Sequence, residues 1–127
     1  MLLAISVTVM FVSFIIGGLV YSQESSDLSG KRNRATFLAE EGLEATRNIR
    51  DNGFLNLVDG SYGLSTLGNE WNFLGVSDTT EIFERTVNIS TVNADTKLIT
   101  SSVTWPQNAQ RNGNVTLETY LTNWKPF

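Results

Sequence analysis

The sequence predicts an α+β chain: a long N-terminal helix, membrane-spanning in its first half and amphipathic in its second, packed on a small antiparallel β-sheet. Three observations predict it. Met1 to Tyr21, MLLAISVTVMFVSFIIGGLVY, carries no charge, and the first charged residue is Glu24. Ala35 to Asp51 repeats small and apolar residues at helical spacing. Beyond Gly53 the period changes to two, with β-branched and aromatic runs between turn residues. The implied division is a transmembrane half-helix over 1–23 and a globular domain over 24–127. In that domain the amphipathic helix runs to about residue 53 and the sheet follows.

A helix over the first 21 residues rises about 1.5 Å per residue and spans roughly 30 Å, the thickness of a bilayer's hydrocarbon core. Leu2, Leu3, Ile5, Val7, Val9, Phe11, Phe14, Ile15, Ile16, Leu19 and Val20 supply its apolar surface. Ser6, Thr8 and Ser13 interrupt it, but a helical hydroxyl can bond back to the carbonyl one turn earlier. A cleaved signal peptide fits less well, since no basic residue precedes the run and no A-x-A site follows it. A helix buried in a soluble fold would need apolar partners all round, and the polar remainder of the chain does not supply them.

Ser22 to Arg34 is polar and contains no proline, so one near-continuous helix from about Leu2 to Asp51 is expected, with Gly17-Gly18 and Gly30 as its weak points. Lys31, Arg32 and Arg34 form a basic cluster, but the positive-inside comparison needs both flanks and leaves the orientation open. Ala35, Leu38, Gly42, Ala45 and Ile49 share one helix face, of which Leu38, Gly42, Ala45 and Ile49 are assigned to helix–sheet packing. Most of these are small, so whatever packs there comes close. Glu44 and Arg47 stand at contact spacing. Glu40, Glu41 and Glu44 read as a solvated face, not a metal or catalytic cluster. Asn52-Gly53 ends the helix.

The rest reads as strand and turn. Asp59-Gly60 and Gly63 punctuate a loop region with a short strand around Tyr62, and Trp71 alternates with Phe73 about Asn72. Gly75 to Thr80 reads as a turn region. Phe83 to Val92, Lys97 to Trp105 and Val115 to Trp124 are the main strands, joined by Asn93-Ala94-Asp95 and by a polar loop over Gln107 to Asn114. Short connections make an antiparallel meander the simplest topology. Val87, Ile89, Val103 and Leu117 are its expected core, covered by the small-residue helix face.

Composition closes several functional classes. The chain has 127 residues, 9 basic and 13 acidic, for a net charge of −4. That argues against nucleic acid as a partner, because a phosphate backbone is held by clustered cations. Cysteine and histidine are absent, which removes disulfides, thiolate metal sites, Ser-His-Asp chemistry and most zinc sites. No catalytic residue, cofactor or metal is therefore assigned. A carboxylate hydrolase would need Asp78 to converge with Glu81 or Glu84. Asn88-Ile-Ser90 and Asn114-Val-Thr116 match the glycosylation sequon, but such tripeptides arise often by chance and a residue within a strand is a poor acceptor. Trp71, Trp105, Tyr120 and Trp124 read as core bulk before they read as a sugar-stacking platform.

Two stretches carry a family resemblance. Leu2-Leu3-Ala4-Ile5-Ser6-Val7 looks like the run just after a pilin processing site. Ala39-Glu40-Glu41-Gly42-Leu43-Glu44-Ala45-Thr46-Arg47-Asn48-Ile49-Arg50-Asp51 resembles the A-E-x-G-[LI]-E-A-x-R-x-I-R-D run of type IV pilins of the minor-pilin, pilus modification (PilV-like) group. Asp59-Gly60-Ser61-Tyr62-Gly63-Leu64 also looks familiar there. Members of that group carry a basic leader, a cleavage site after glycine and a start like Phe-Thr-Leu-Ile-Glu. Met1 stands just past the place of that glutamate, so processing and filament entry are not implied for a chain started there.

The resemblance implies a pilin-like fold and a non-enzymatic structural subunit of a type IV pilus-like filament. Its apolar helix would sit in the membrane before assembly and in the filament core afterwards. Implied partners are other pilin subunits through that helix, inner-membrane lipid and the pilus assembly machinery. The implied location is the cytoplasmic membrane as a single-pass protein, then an extracellular pilus or a periplasmic pseudopilus. The alternatives are a type II secretion pseudopilin and a single-span, membrane-anchored extracellular domain that binds a ligand such as a glycan.

Overall fold

A computed structural model describes the backbone of residues 2–124, and the side chains of residues 4–16, 19 and 27–124. Helical backbone is assigned over α1 (Leu2–Asn52), and its described side chains fall into two helical stretches, Ala4–Ile16 and Asp27–Asn52. The chain divides into two compact units, residues 1–31 and 32–127.

In the first unit the apolar helical residues are exposed, Phe11 and Phe14 at 67% and 73%. Its hydroxyls turn inward: Thr8 donates to the Ala4 carbonyl at 2.8 Å and Ser13 to that of Val9 at 2.9 Å. The expected membrane-spanning half-helix is overturned here. No helix among the described residues is long and apolar enough to cross a membrane. The apolar helical stretch among the described side chains, residues 4–16, rises about 20 Å at 1.5 Å per residue, against the roughly 30 Å of a bilayer core. The long transmembrane helix of the expected fold class and the single-pass membrane location both fall with it. Leu2, Leu3 and Val20, assigned to that surface, lie outside the described side chains, as do Gly17 and Gly18.

The second unit is built on a five-stranded antiparallel sheet. Its backbone is the meander β5 (Phe83–Asn93), β6 (Thr96–Pro106) and β7 (Asn112–Thr122). The free edge of β5 is shared by two short strands, β4 (Asp78–Thr80) and β1 (Gly60–Tyr62). A separate hairpin joins β2 (Leu64–Leu67) to β3 (Glu70–Phe73). Its two-residue turn, Gly68-Asn69, has positive φ at both positions, the geometry that matches strand twist. A 3-10 turn, η1 (Phe54–Asn56), follows the helix. Residues 78–80 are thus a strand, not turn, because Asp78 is held in register opposite Arg85. Leu64–Leu67, for which no strand is expected from the sequence, pairs residue by residue with β3.

Strand alternation sets the core. Val87, Ile89, Ile99, Val103, Trp105, Val115 and Leu121 are buried on one sheet face, and Leu38, Ala45 and Ile49 of the helix lie in the core with them. Leu117, expected in the core, is only partly buried and packs at its margin. The core consists of two apolar clusters. One gathers Ala45, Ile49, Val87, Ile89 and Ile99; the other gathers Leu38, Ala39, Phe83, Val103 and Trp105. Between them on three elements stands a residue without an apolar side chain: Gly42 on the helix, Arg85 on β5, Ser101 on β6. A side chain at Gly42 would collide with Ser101 Oγ and crowd Arg85 Cδ. The helix backbone therefore comes as close to the sheet here as a glycine allows.

Candidate functional site

The buried layer between the clusters is organised by Arg85, which is only 4% exposed. Its Nη1 donates to the Leu38 carbonyl at 3.0 Å and to Glu41 Oε1 at 2.9 Å. Its Nε and Nη2 fork onto Asp78 at 3.2 and 2.8 Å. Asp78 Oδ1 also accepts the Leu64 amide at 3.0 Å. One guanidinium thus ties α1, β4 and β5 together and, through Asp78, fixes the start of β2. Burial works against its charge, but the hydrogen bonds it donates to Asp78 and Glu41 outweigh burial and hold its pKa above the ordinary value. Ser101 Oγ beside it is buried and has no hydrogen-bond partner.

The carboxylates weighed above for chemistry are paired with an arginine or exposed. Glu41 and Asp78 are partners of Arg85, Glu44 pairs with Arg47, and Glu81 pairs with Arg34 at 3.3 Å. Glu40 and Glu84 are exposed. Asp78 is opposite Arg85 and Glu84 opposite Thr79 in the β4–β5 ladder, so no two of these carboxylates face each other in register. No group of three or more acidic residues that could hold a metal occurs among the described residues.

The residues assigned to helix–sheet packing, Leu38, Gly42, Ala45 and Ile49, are all buried. Those assigned to the apolar helix lie on the surface: Ile5, Val7, Val9, Phe11, Phe14, Ile15, Ile16 and Leu19 are 51–73% exposed. The four aromatics of a stacking platform are not brought together as one. Trp105 is buried against Phe83, and Tyr120 is exposed on β7. Trp124 donates from Nε1 to Asp51 Oδ1 at 3.0 Å and lies 5.8 Å from the Arg50 guanidinium. Trp71 lines a cleft of about 440 Å³ at the end of the helix. Arg85 is legible in the sequence only as a lone charge at an inward position of an alternating strand, the signal that marks a paired buried ion.

No family model, curated protein or solved structure matches this chain.

Proposed function

We propose that this chain is a non-enzymatic structural subunit of a type IV pilus-like filament, joined to other subunits through the apolar helix. One observation carries the reading: residues 4–16 form a helix whose apolar side chains are all exposed and whose Thr8 and Ser13 hydroxyls are bonded to their own backbone. Such a surface is unstable in water at roughly 25 cal/mol per Å² of apolar area and is relieved by packing against like helices. The resemblance of 39–51 to the minor-pilin run supports the same reading. So does the pairing of the two half-buried carboxylates, Glu41 and Asp78, with Arg85.

The chain contains no cysteine, so a single introduced thiol reports its neighbour without ambiguity. Phe14→Cys and Phe37→Cys, on the apolar helix and on the exposed helix face of the sheet unit, are compared by mild oxidation of the assembled protein. Disulfide-linked dimers from Phe14→Cys, with far fewer from Phe37→Cys, support subunit packing through the apolar helix. Monomer throughout, with no sedimenting assembly of the unmodified chain, overturns it.

A further inference from the structure

The cleft at the helix end is built from three pieces of the sheet unit. The last turn of α1 gives Ile49 and Asn52, η1 gives Asn56, and the outer edge of β3 gives Glu70 to Phe73. Ile49 is buried, and Trp71 and Phe73 are half-buried against the same core cluster, so the floor is apolar, aromatic and fixed. The rim is different. Asn52, Asn56 and Asn72 are exposed carboxamides, Asn72 with one N–H given to the Glu70 carbonyl at 3.2 Å, and Glu70 is an exposed carboxylate. Gly53 leaves space for the Asn56 amide, since a side chain there would come within 3.2 Å of Asn56 Nδ2.

We propose that this cleft binds a neutral glycan end, a mono- or disaccharide that lies on Trp71 with its hydroxyls read by Asn52, Asn56 and Asn72. A carboxamide both donates and accepts, as a sugar hydroxyl does, so three of them around one aromatic floor match a polyol better than a ligand of one polarity. The cleft volume, about 440 Å³, falls in the range of small-ligand sites, roughly 300–1,000 Å³. Charge decides against anionic sugars. No cation lines the cleft, Glu70 stands on its rim, and the carbonyl end of α1 adds partial negative charge. The competing occupant is an extended peptide added to the outer edge of β3. Strand addition takes its specificity from pockets for alternate side chains, and amide groups line this cleft in place of such pockets.

The full chain, kept in solution with a zwitterionic detergent that contains no sugar, is titrated with lactose, cellobiose and N,N′-diacetylchitobiose. The readout is the shift of the Trp71 indole and Asn side-chain amide resonances. Saturable shifts with at least one of them, at a Kd of about 1 mM, are expected. Asn56→Ala and Asn72→Ala, both at exposed rim positions, weaken binding about tenfold or more; Trp71→Leu does the same, and Tyr120→Ala leaves it unchanged. Sialyllactose binds more weakly than lactose. No saturable shift with any of the three up to about 20 mM overturns the proposal. Binding that survives the rim changes but is lost in Tyr120→Ala overturns it too, as does capture of an extended Thr-Val-Thr-Val-Thr peptide with no sugar binding.

Discussion

At the scale of single residues, Arg85 is the most consequential side chain in the sheet unit. Its charge is retained because four hydrogen bonds replace the water it loses, and no carboxylate it holds is left facing the core alone. Removing one member of a buried ion network leaves its partners uncompensated, which typically costs about 3–5 kcal/mol. Arg85→Ala should therefore lower the denaturant midpoint by that equivalent with an unchanged m-value. A loss below about 1 kcal/mol would mean that Asp78 and Glu41 regain water freely. A second cluster is superficial. Lys97 donates to Asp59 at 2.8 Å and to Thr91 at 2.7 Å. The hydrogen bonds from Lys97 and Thr91 hold the Asp59 carboxyl below its ordinary value of 3.8. A depressed carboxyl contributes stability above its unfolded pKa and loses it as pH falls through the folded one. The melting temperature of the native chain should therefore exceed that of Asp59→Asn near about pH 6, and the gap should close as pH approaches about 2. A gap that is constant across this range would assign the difference to packing.

At the scale of elements, alternation and small-residue spacing are enough to place the three long strands and the packing face of the helix. Phe83, Val87 and Ile89 against Glu84 and Asn88 define which face is inward. The short elements are not legible. β2 and β4 have four and three residues, too few for a period to show, and β4 exists because Asp78 is drawn to Arg85, a partner 7 positions away. Leu117 departs from expectation for a related reason: it shares the inward face with Val115 and Leu121, but only they are buried. Leu121→Ala should cost about 2–5 kcal/mol and Leu117→Ala about half as much, since the cost grows with the apolar surface each side chain buries and the cavity its removal leaves. Equal losses would show that Leu117 is covered as fully as Leu121. Gly42 gives a test of opposite sign in volume. Gly42→Ala adds a methyl where Ser101 Oγ already stands, and overpacking of this kind costs about 1–3 kcal/mol despite alanine's better helix propensity.

At the scale of the whole molecule, an uncharged apolar helix is a surface that needs cover, and composition does not say whether lipid or protein supplies it. No helix among the described residues is long and apolar enough to cross a membrane, and none of residues 4–16 belongs to either core cluster. The cleft residues are hidden in the sequence for another reason: Asn52, Asn56 and Asn72 are scattered along it and meet only after the helix stops and the β2–β3 hairpin closes beside it. Since the exposed side chains of residues 4–16 stand outside both core clusters, assembly and stability should separate. Distant substitutions without shared partners act independently to within about 0.5 kcal/mol. Phe11→Asp with Phe14→Asp should therefore leave the denaturant midpoint of the sheet unit unchanged within that margin while abolishing sedimenting assemblies. Burying two carboxylates in an apolar helix bundle costs several kcal/mol each, far more than packing of the remaining side chains offsets. A loss of sheet-unit stability above about 1 kcal/mol would show that the helix supports the fold itself. Unaltered sedimentation with both changes in place would remove the apolar helix from the assembly surface.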